Sequence, residues 1–208
     1  MSNFGRSYRA RSYIFLALAL LIGGVGIVIA LSSCSSEESS QSESEEEPAP
    51  ESEEEPAPPV PSDPTLYLTV PRLEIYDHTI KNDMSEGTLS LGAGKFPDTG
   101  FPWEEGDVNT YIGCHRLGYP NTESYLQCLD LPQMQEGDEI ILKDTNGTVY
   151  NYQASEFLQV EPSEMWVTEP VEGRNIVSLQ TCIEDYNDFS TLGPNWSVRY
   201  IVWADQVS

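Results

Sequence analysis

The chain has 208 residues, with 34 acidic against 10 basic side chains and a formal net charge of −24. A balance this acidic excludes nucleic-acid binding as a primary role, because the phosphate backbone demands basic patches. It leaves fold class open.

Met1–Tyr13 carries Arg6, Arg9 and Arg11 and no acid, and Ile14–Leu31 is an unbroken apolar run of 18 residues. At about 1.5 Å rise per residue such a run spans a bilayer. The basic flank in front of it orients everything after Leu31 outward. Leu31-Ser32-Ser33-Cys34 also fits a bacterial lipobox, in which Cys34 would be lipidated and become the mature N-terminus. The other reading is an uncleaved anchor with Cys34 a free thiol just outside. The run exceeds the roughly 7–15 residues of an ordinary signal-peptide core, which favours the anchor. Either way residues 1–36 attach the protein to the membrane, and the domain behind them is extracytoplasmic.

Residues 37–63 are built from Glu, Ser, Pro and Ala, with 11 acids and no base. Ser44–Pro50 is repeated by Ser52–Pro58. Like charges repel along such a segment and almost nothing in it is apolar, so it reads as a disordered, extended stalk. Residues 64–208 then suit one domain with a real core, holding 23 acids against 7 bases.

That domain reads as mostly β. Leu66–Val70 and Leu73–Ile75 form two short strands bracketing Pro71. Thr110-Tyr111-Ile112 is a strand signal within Asp107–His115. Ser124–Leu131 reads as a short helical turn ended by Pro132. Glu139–Leu142, Asn146-Gly147 and Val149–Tyr152 predict a hairpin with a type I′ turn. Asn175–Cys182 and Ser197–Trp203 supply the last two strands. Many short strands with few helices predict a closed or nearly closed barrel.

Cys182 is the strongest nucleophile candidate. A thiol is only a few per cent thiolate at neutral pH, but that minority is highly nucleophilic. It needs a proton donor for the leaving amine and positive charge near the developing oxyanion. Of the two histidines, His78 has charged neighbours in an alternating segment and reads as a surface residue. His115 follows an apolar strand and is the better general acid. Arg199 sits inside an apolar strand and needs a partner or a function, since burying an unpaired charge is costly. Composition alone leaves a structural ion pair as an equal reading of Arg199.

Several segments together resemble the sortase family. Leu68-Thr69-Val70-Pro71-Arg72-Leu73 is similar to its first-strand pattern of apolar, any, apolar, Pro, basic, apolar. Gly94–Thr99, Pro102 and Ile112–Arg116 resemble the stretch leading to the catalytic histidine, and Leu129–Asp138 with Ile140 and Leu142 its downstream hairpin. Ser178-Leu179-Gln180-Thr181-Cys182 is similar to the Thr-Leu-any-Thr-Cys signature. Asp185-Tyr186-Asn187, Trp196 and Arg199 look most like the class A members. The similarity covers Leu66–Asp205. It departs from the pattern at Cys114, usually Gly, at Ser178, usually Thr, and in the 17-residue step from Cys182 to Arg199, longer than in class A.

The resemblance implies an eight-stranded sortase-type β-barrel with short helices and transpeptidation at the cell wall. Cys182 would attack the Thr carbonyl of a Leu-Pro-any-Thr-Gly-like signal at the C-terminus of a surface protein. His115 would protonate the departing glycine amine. An amine of peptidoglycan or a pilin would resolve the thioacyl enzyme, and Arg199 would hold the oxyanion or the signal backbone. Thr181, next to the nucleophile, is expected against the substrate. No cofactor is required. Glu104, Asp107 and Glu169 sit where some class A enzymes hold calcium, although carboxylates fall in most loops of so acidic a domain. Phe96–Gly100 itself looks like a sorting signal, but inside the domain it reads as coincidence. Cys114 and Cys128 are either a disulfide, as an oxidising exterior allows, or two buried thiols. The rival readings are a non-catalytic surface lipoprotein with a sortase-like domain used for binding, and a cysteine L,D-transpeptidase. The separation of 67 positions between His115 and Cys182 does not suit the latter's clustered motif.

Overall fold

The computed structural model describes residues 59–186, 189–193 and 195–207. The basic flank, the apolar run with Cys34 and all but the end of the acidic stalk lie outside the described residues. Among the described residues no helix is long and apolar enough to cross a membrane.

Alternation sets the strands. On β1 (Leu66–Val70), Leu66, Leu68 and Val70 point inward. Pro71 begins a 3-10 turn, Pro71–Leu73, that ends on Glu74 in the left-handed region (φ 57°), so β2 (Ile75–Lys81) returns antiparallel to β1. Pro71, which has no N–H for a ladder, thus stands in the turn and not in a strand. A short helix α1 (Glu86–Leu89) leads to β3 (Ala93–Lys95). Next come β4 (Val108–Gly113), β5 (Glu139–Lys143), β6 (Val149–Val160), β7 (Asn175–Ile183) and β8 (Val198–Val207). The eight close into a barrel in the order β1-β2-β3-β4-β7-β8-β6-β5. The pairs β2–β3 and β4–β7 are parallel, and the others antiparallel.

The barrel interior is filled by Leu68, Ile112, Leu142, Tyr152, Leu179 and Val202 among others. Strands β4 and β7 are also covered outside, as parallel strands usually are. There Tyr111, Val160, Val167, Ile176, Ile201 and Trp203 form a second apolar cluster beneath the β6–β7 connection, which contains a 3-10 turn at Met165–Thr168. Asn109 on β4 ties this roof down, its Nδ2 donating to the carbonyls of Val167 and Glu169 at 3.0 Å each. Arg174, at the roof's end, grips Asp205 through Nε (2.7 Å) and Nη2 (2.8 Å).

Two local expectations change. Pro132 does not end a helical turn but sits in the first turn of a 3-10 helix, Leu131–Gln133, where its missing N–H costs nothing. The β5–β6 turn is not type I′, because Gly147 takes φ +90° while Asn146 does not go left-handed. The buried carboxylate of Asp144 decides it. Oδ1 accepts the N–H groups of Asn146 and Thr148, and Oδ2 accepts the Tyr150 hydroxyl. The same turn holds the end of the stalk, with Asn146 Nδ2 donating to the Pro59 carbonyl (2.8 Å) and Thr145 Oγ1 to that of Asp63 (3.0 Å).

Lys95 is fully buried. Its Nζ donates to the carbonyls of Phe96 (2.9 Å) and Thr99 and lies 3.9 Å from the Phe101 ring centroid, so it pins the β3–β4 loop from inside. Burial pulls its pKa down to about 8, against the opposing pull of Glu104 and Asp98. Below that pH Lys95 is charged in folded and unfolded chains alike. Between about 8 and 10.5 the unfolded chain binds more protons, so stability should rise with pH. Urea unfolding of the parent and of Lys95→Met across pH 8–10 should therefore diverge in the parent's favour, by on the order of 1 kcal/mol per pH unit. Parallel curves would contradict a depressed Lys95.

Candidate active site

Cys182 stands near the end of β7, and Arg199 is the second residue of β8. The antiparallel register makes them direct partners. Residues so opposed share a face, with Cβ atoms about 4.5–5.5 Å apart. Their face is the outer one, since Leu179, Thr181 and Ile183 between them turn inward. His115 comes from the neighbouring parallel strand. Gly113 pairs with Gln180, and the N–H of Cys114 donates to the Gln180 carbonyl at 3.0 Å, so the chain leaves β4 beside the end of β7.

The three side chains line two cavities together. One, about 320 Å³, runs under the roof and is walled by Met84, Tyr111, Val160, Met165 and Val167. The other, about 450 Å³, opens toward Tyr119, Asn195 and Trp196. Cys182, His115 and Arg199 thus stand between two grooves. His78 lies elsewhere, on β2, with its Nδ1 3.2 Å from Gln127 Nε2.

The segment carrying His115 is staked on both sides. A disulfide joins Cys114 to Cys128 with a Cα–Cα distance of 6.0 Å. The Cys128 N–H donates to the His115 carbonyl (3.2 Å), and Thr181 Oγ1 donates to the Cys114 carbonyl (3.1 Å). Thr181, expected against the substrate, is instead fully buried and faces the barrel interior. Strand alternation sends it there because its neighbour Cys182 faces out.

Burial raises the pKa of the Cys182 thiol, and the charge of Arg199 draws it partly back. Arg199 donates from Nη1 to the Trp196 carbonyl at 2.9 Å, and among the described residues no carboxylate lies within ion-pair distance of it. The reading of Arg199 as half of a structural ion pair therefore falls. Trp196 takes the left-handed region (φ 46°), unusual for a bulky residue. Glu184 holds it there: its carboxylate accepts the N–H groups of Trp196 (2.9 Å) and Asn195 (3.1 Å), and its carbonyl accepts Ser197 Oγ (2.8 Å).

Several participants escape sequence reasoning. Gln180 Oε1 accepts the Tyr111 hydroxyl (2.9 Å) in the roofed cavity, Ser178 Oγ donates to Asn109 Oδ1 (2.7 Å), and Glu86 Oε1 lies 3.2 Å from His115 Nε2. Asn109 had a signal, an amide inside an apolar strand. Glu86 had none. The calcium candidates do not converge, and among the described residues no three His, Cys, Asp or Glu side chains form a metal-sized group. Asp107 accepts the Gly173 N–H, Glu169 offers its backbone carbonyl to Asn109, and Glu104 acts on Lys95.

A family profile described as Sortase domain matches residues 68–207. Among solved structures, the chain is similar to sortase C of Streptococcus pneumoniae, at 24% identity and TM-score 0.57 over 68% of this chain and 65% of that one. The sortase A lid mutant from Corynebacterium diphtheriae gives 20% and 0.57 over 69% of each chain. Sortase C-1 from Actinomyces oris gives 22% and 0.58 over 71% of this chain and 74% of that one. The chain thus spans about two thirds of the pneumococcal protein's length, and likeness at these identities shows the shared fold. No curated protein sequence matches the chain.

Two measurements follow from this geometry. Alkylation of Cys182 followed against pH should titrate above the ordinary thiol midpoint of about 8.5. Arg199→Gln should move the midpoint further up, because it withdraws the one field that favours thiolate; a midpoint below the ordinary value would contradict desolvation as the dominant influence. Separately, Cys114→Ser with Cys128→Ser should cost about 3 kcal/mol in urea unfolding, as expected for opening a cross-link over a loop of this length. A loss under about 1 kcal/mol would show that the backbone bonds at Cys114 and His115 suffice.

Proposed function

Because the chain belongs to the sortase family, a family of cysteine transpeptidases, we propose that it is a membrane-tethered sortase acting on the outer face of the membrane. It cleaves a Leu-Pro-any-Thr-Gly-like sorting signal between Thr and Gly and passes the acyl chain to an amine of peptidoglycan or of a pilin. The observation that carries this is the register that opposes Cys182 to Arg199, with His115 on the same two grooves. The tether is the apolar run 14–31 with its basic flank, as anchor or as lipoprotein signal through Cys34.

The chemistry follows from the three groups. The Cys182 thiol passes its proton to His115, and the sulfur adds to the Thr carbonyl carbon. Arg199 faces the oxygen that gains charge, where a fixed donor in a sheltered site is worth most. As the tetrahedral adduct collapses, the C–N bond breaks and His115 gives the proton to the leaving glycine amine. The incoming amine then loses a proton to His115 and expels the thiolate. The roofed, mostly apolar groove suits the signal, whose side chains it desolvates. The open groove beside Tyr119 and Trp196 suits the acceptor. No step needs a cofactor.

Incubating the protein with a small library of quenched sorting-signal peptides tests this. The expected result is scission at Thr–Gly, a Cys182 thioacyl adduct by mass, and a ligated product when a glycine or lysine amine is added. Turnover should survive EDTA. Cys182→Ala should abolish cleavage and adduct together. Stable peptide binding with no cleavage of any library member would instead support the binding-module alternative, and strong dependence on added calcium would return Glu104, Asp107 and Glu169 as ligands.

A further inference from the structure

The mechanism above leaves the second nitrogen of His115 unassigned. The structure gives that nitrogen a partner. Glu86 Oε1 lies 3.2 Å from His115 Nε2 and also accepts the Tyr119 hydroxyl at 2.8 Å. The Tyr119 ring meets the imidazole edge-on, with centroids 5.9 Å apart and planes at 70°. Imidazole, carboxylate and phenol therefore form a closed triangle on the open side of the site.

Glu86 is not there by accident of an unrestrained loop. It is the first residue of α1, whose cap is built twice over. The hydroxyl of Ser85 accepts the Thr88 N–H, and the Asp83 carboxylate binds the hydroxyls of both Ser85 and Thr88 at 2.5 Å. Just before it, Met84 lies flat across β3 and β4. A Cβ at Gly113 would stand 2.7 Å from Met84 Cε, and one at Gly94 2.9 Å from Met84 Sδ. Two glycines in adjacent strands thus allow the Asp83–Glu86 segment to lie directly over the end of β4, where His115 emerges.

The proton's place follows from charge. The Tyr119 hydrogen bond chiefly, then His115 itself, holds the Glu86 carboxyl below the usual carboxylate range. An ionised carboxylate only accepts, so the hydrogen between the two groups belongs to Nε2. The tautomer of a histidine is set by the bond its other nitrogen makes.

We propose that Glu86 is the positioning residue of His115: it takes the Nε2–H and leaves Nδ1 as the nitrogen that exchanges protons with Cys182 and the leaving amine. This rests on the sortase reading for its consequence but not for its geometry. The proton route stays balanced. Nδ1 accepts the thiol proton as the C–S bond forms and returns it to nitrogen as the C–N bond breaks, while Nε2–H stays on the imidazole throughout.

The full chain in detergent, labelled with 15N-histidine, tests the geometry without any substrate. It has two histidines, and His78→Gln assigns the signals. In the parent, neutral His115 should show protonated Nε2 and bare Nδ1; Glu86→Ala should shift both nitrogens toward the averaged values of a free imidazole. In single turnover, Glu86→Ala and Glu86→Gln should each slow Cys182 acylation about tenfold with KM for the peptide unchanged within about twofold. That loss is well short of the roughly 10²–10⁴ a general acid supplies. Tyr119→Phe should cost about two- to threefold. In a His115→Ala background, Glu86→Ala should cost nothing further. Because Glu86 is largely exposed, folding should hold, and thermal unfolding of each variant checks it. Unchanged nitrogen signals, parental or faster acylation, or a full-sized effect without His115 would each overturn the proposal. Failure of the sortase reading would look different: no acylation in the parent, with the tautomer signature intact.

Discussion

Cys182 and Arg199 are partners in one antiparallel register, and most of the molecule serves to keep them so. A one-residue slip of β8 would send Arg199 to the barrel interior, because side chains alternate faces along a strand. The register is held from both sides. Within the barrel, Leu179, Ile183, Val198 and Val202 must stay inside, and outside Ile176, Ile201 and Trp203 must stay under the roof. With apolar residues required on both faces, neither strand can slide. Closure of the sheet then fixes β4 alongside β7, which brings His115 to the same end.

Besides the apolar contacts of the roof and of the β3–β4 loop, single polar residues hold the barrel's loops. Asn109 fastens the β6–β7 roof, Glu184 fastens the β7–β8 loop, Lys95 fastens the β3–β4 loop, and Asp144 fastens the β5–β6 turn. Each satisfies several backbone groups at once, which is what a loop crossing a barrel end needs, since an unpaired buried N–H or carbonyl is costly. The disulfide at Cys114 belongs to the same set. It stands next to His115, where Gly is usual in the family the motif resembles, and it adds a covalent stake to a segment that backbone bonds already hold.

Charge is distributed so that the site differs from the surface. The domain beyond residue 63 has only 7 basic residues against 23 acids, and Arg199 is the one placed opposite the thiol. Burial alone favours the neutral thiol, and a carboxylate nearby would favour it further. Among the described residues no carboxylate pairs with Arg199, and its charge draws the Cys182 pKa partly back down. Glu161 and Glu164 line the roofed groove, and Glu86 meets the imidazole directly.

The β character, the barrel and most of the strands were legible in the chain, but β3 (Ala93–Lys95) was not, and β2 runs from Ile75 to Lys81 where Leu73–Ile75 is expected. Strand alternation is a local property, and Cys182, His115 and Arg199 sit in motif positions that resemble one family. Local misreadings came where a side chain outvoted a propensity. Asn146-Gly147 reads as a type I′ turn, but the Asp144 carboxylate captures the turn's N–H groups; Pro132 reads as a stop, but it opens a 3-10 turn. Thr181 faces the interior because strand alternation turns it away from the face that its neighbour Cys182 takes. What the tertiary structure alone decided is which distant polar groups meet: Glu86 with His115, 29 positions apart, Glu184 with Trp196, and Asn109 with a roof some 60 positions away. No periodicity encodes such pairs. Barrel closure brings Glu86 to His115 and Asn109 to the roof, whereas Glu184 and Trp196 meet within the β7–β8 loop; the buried Asn109 must in addition find a partner.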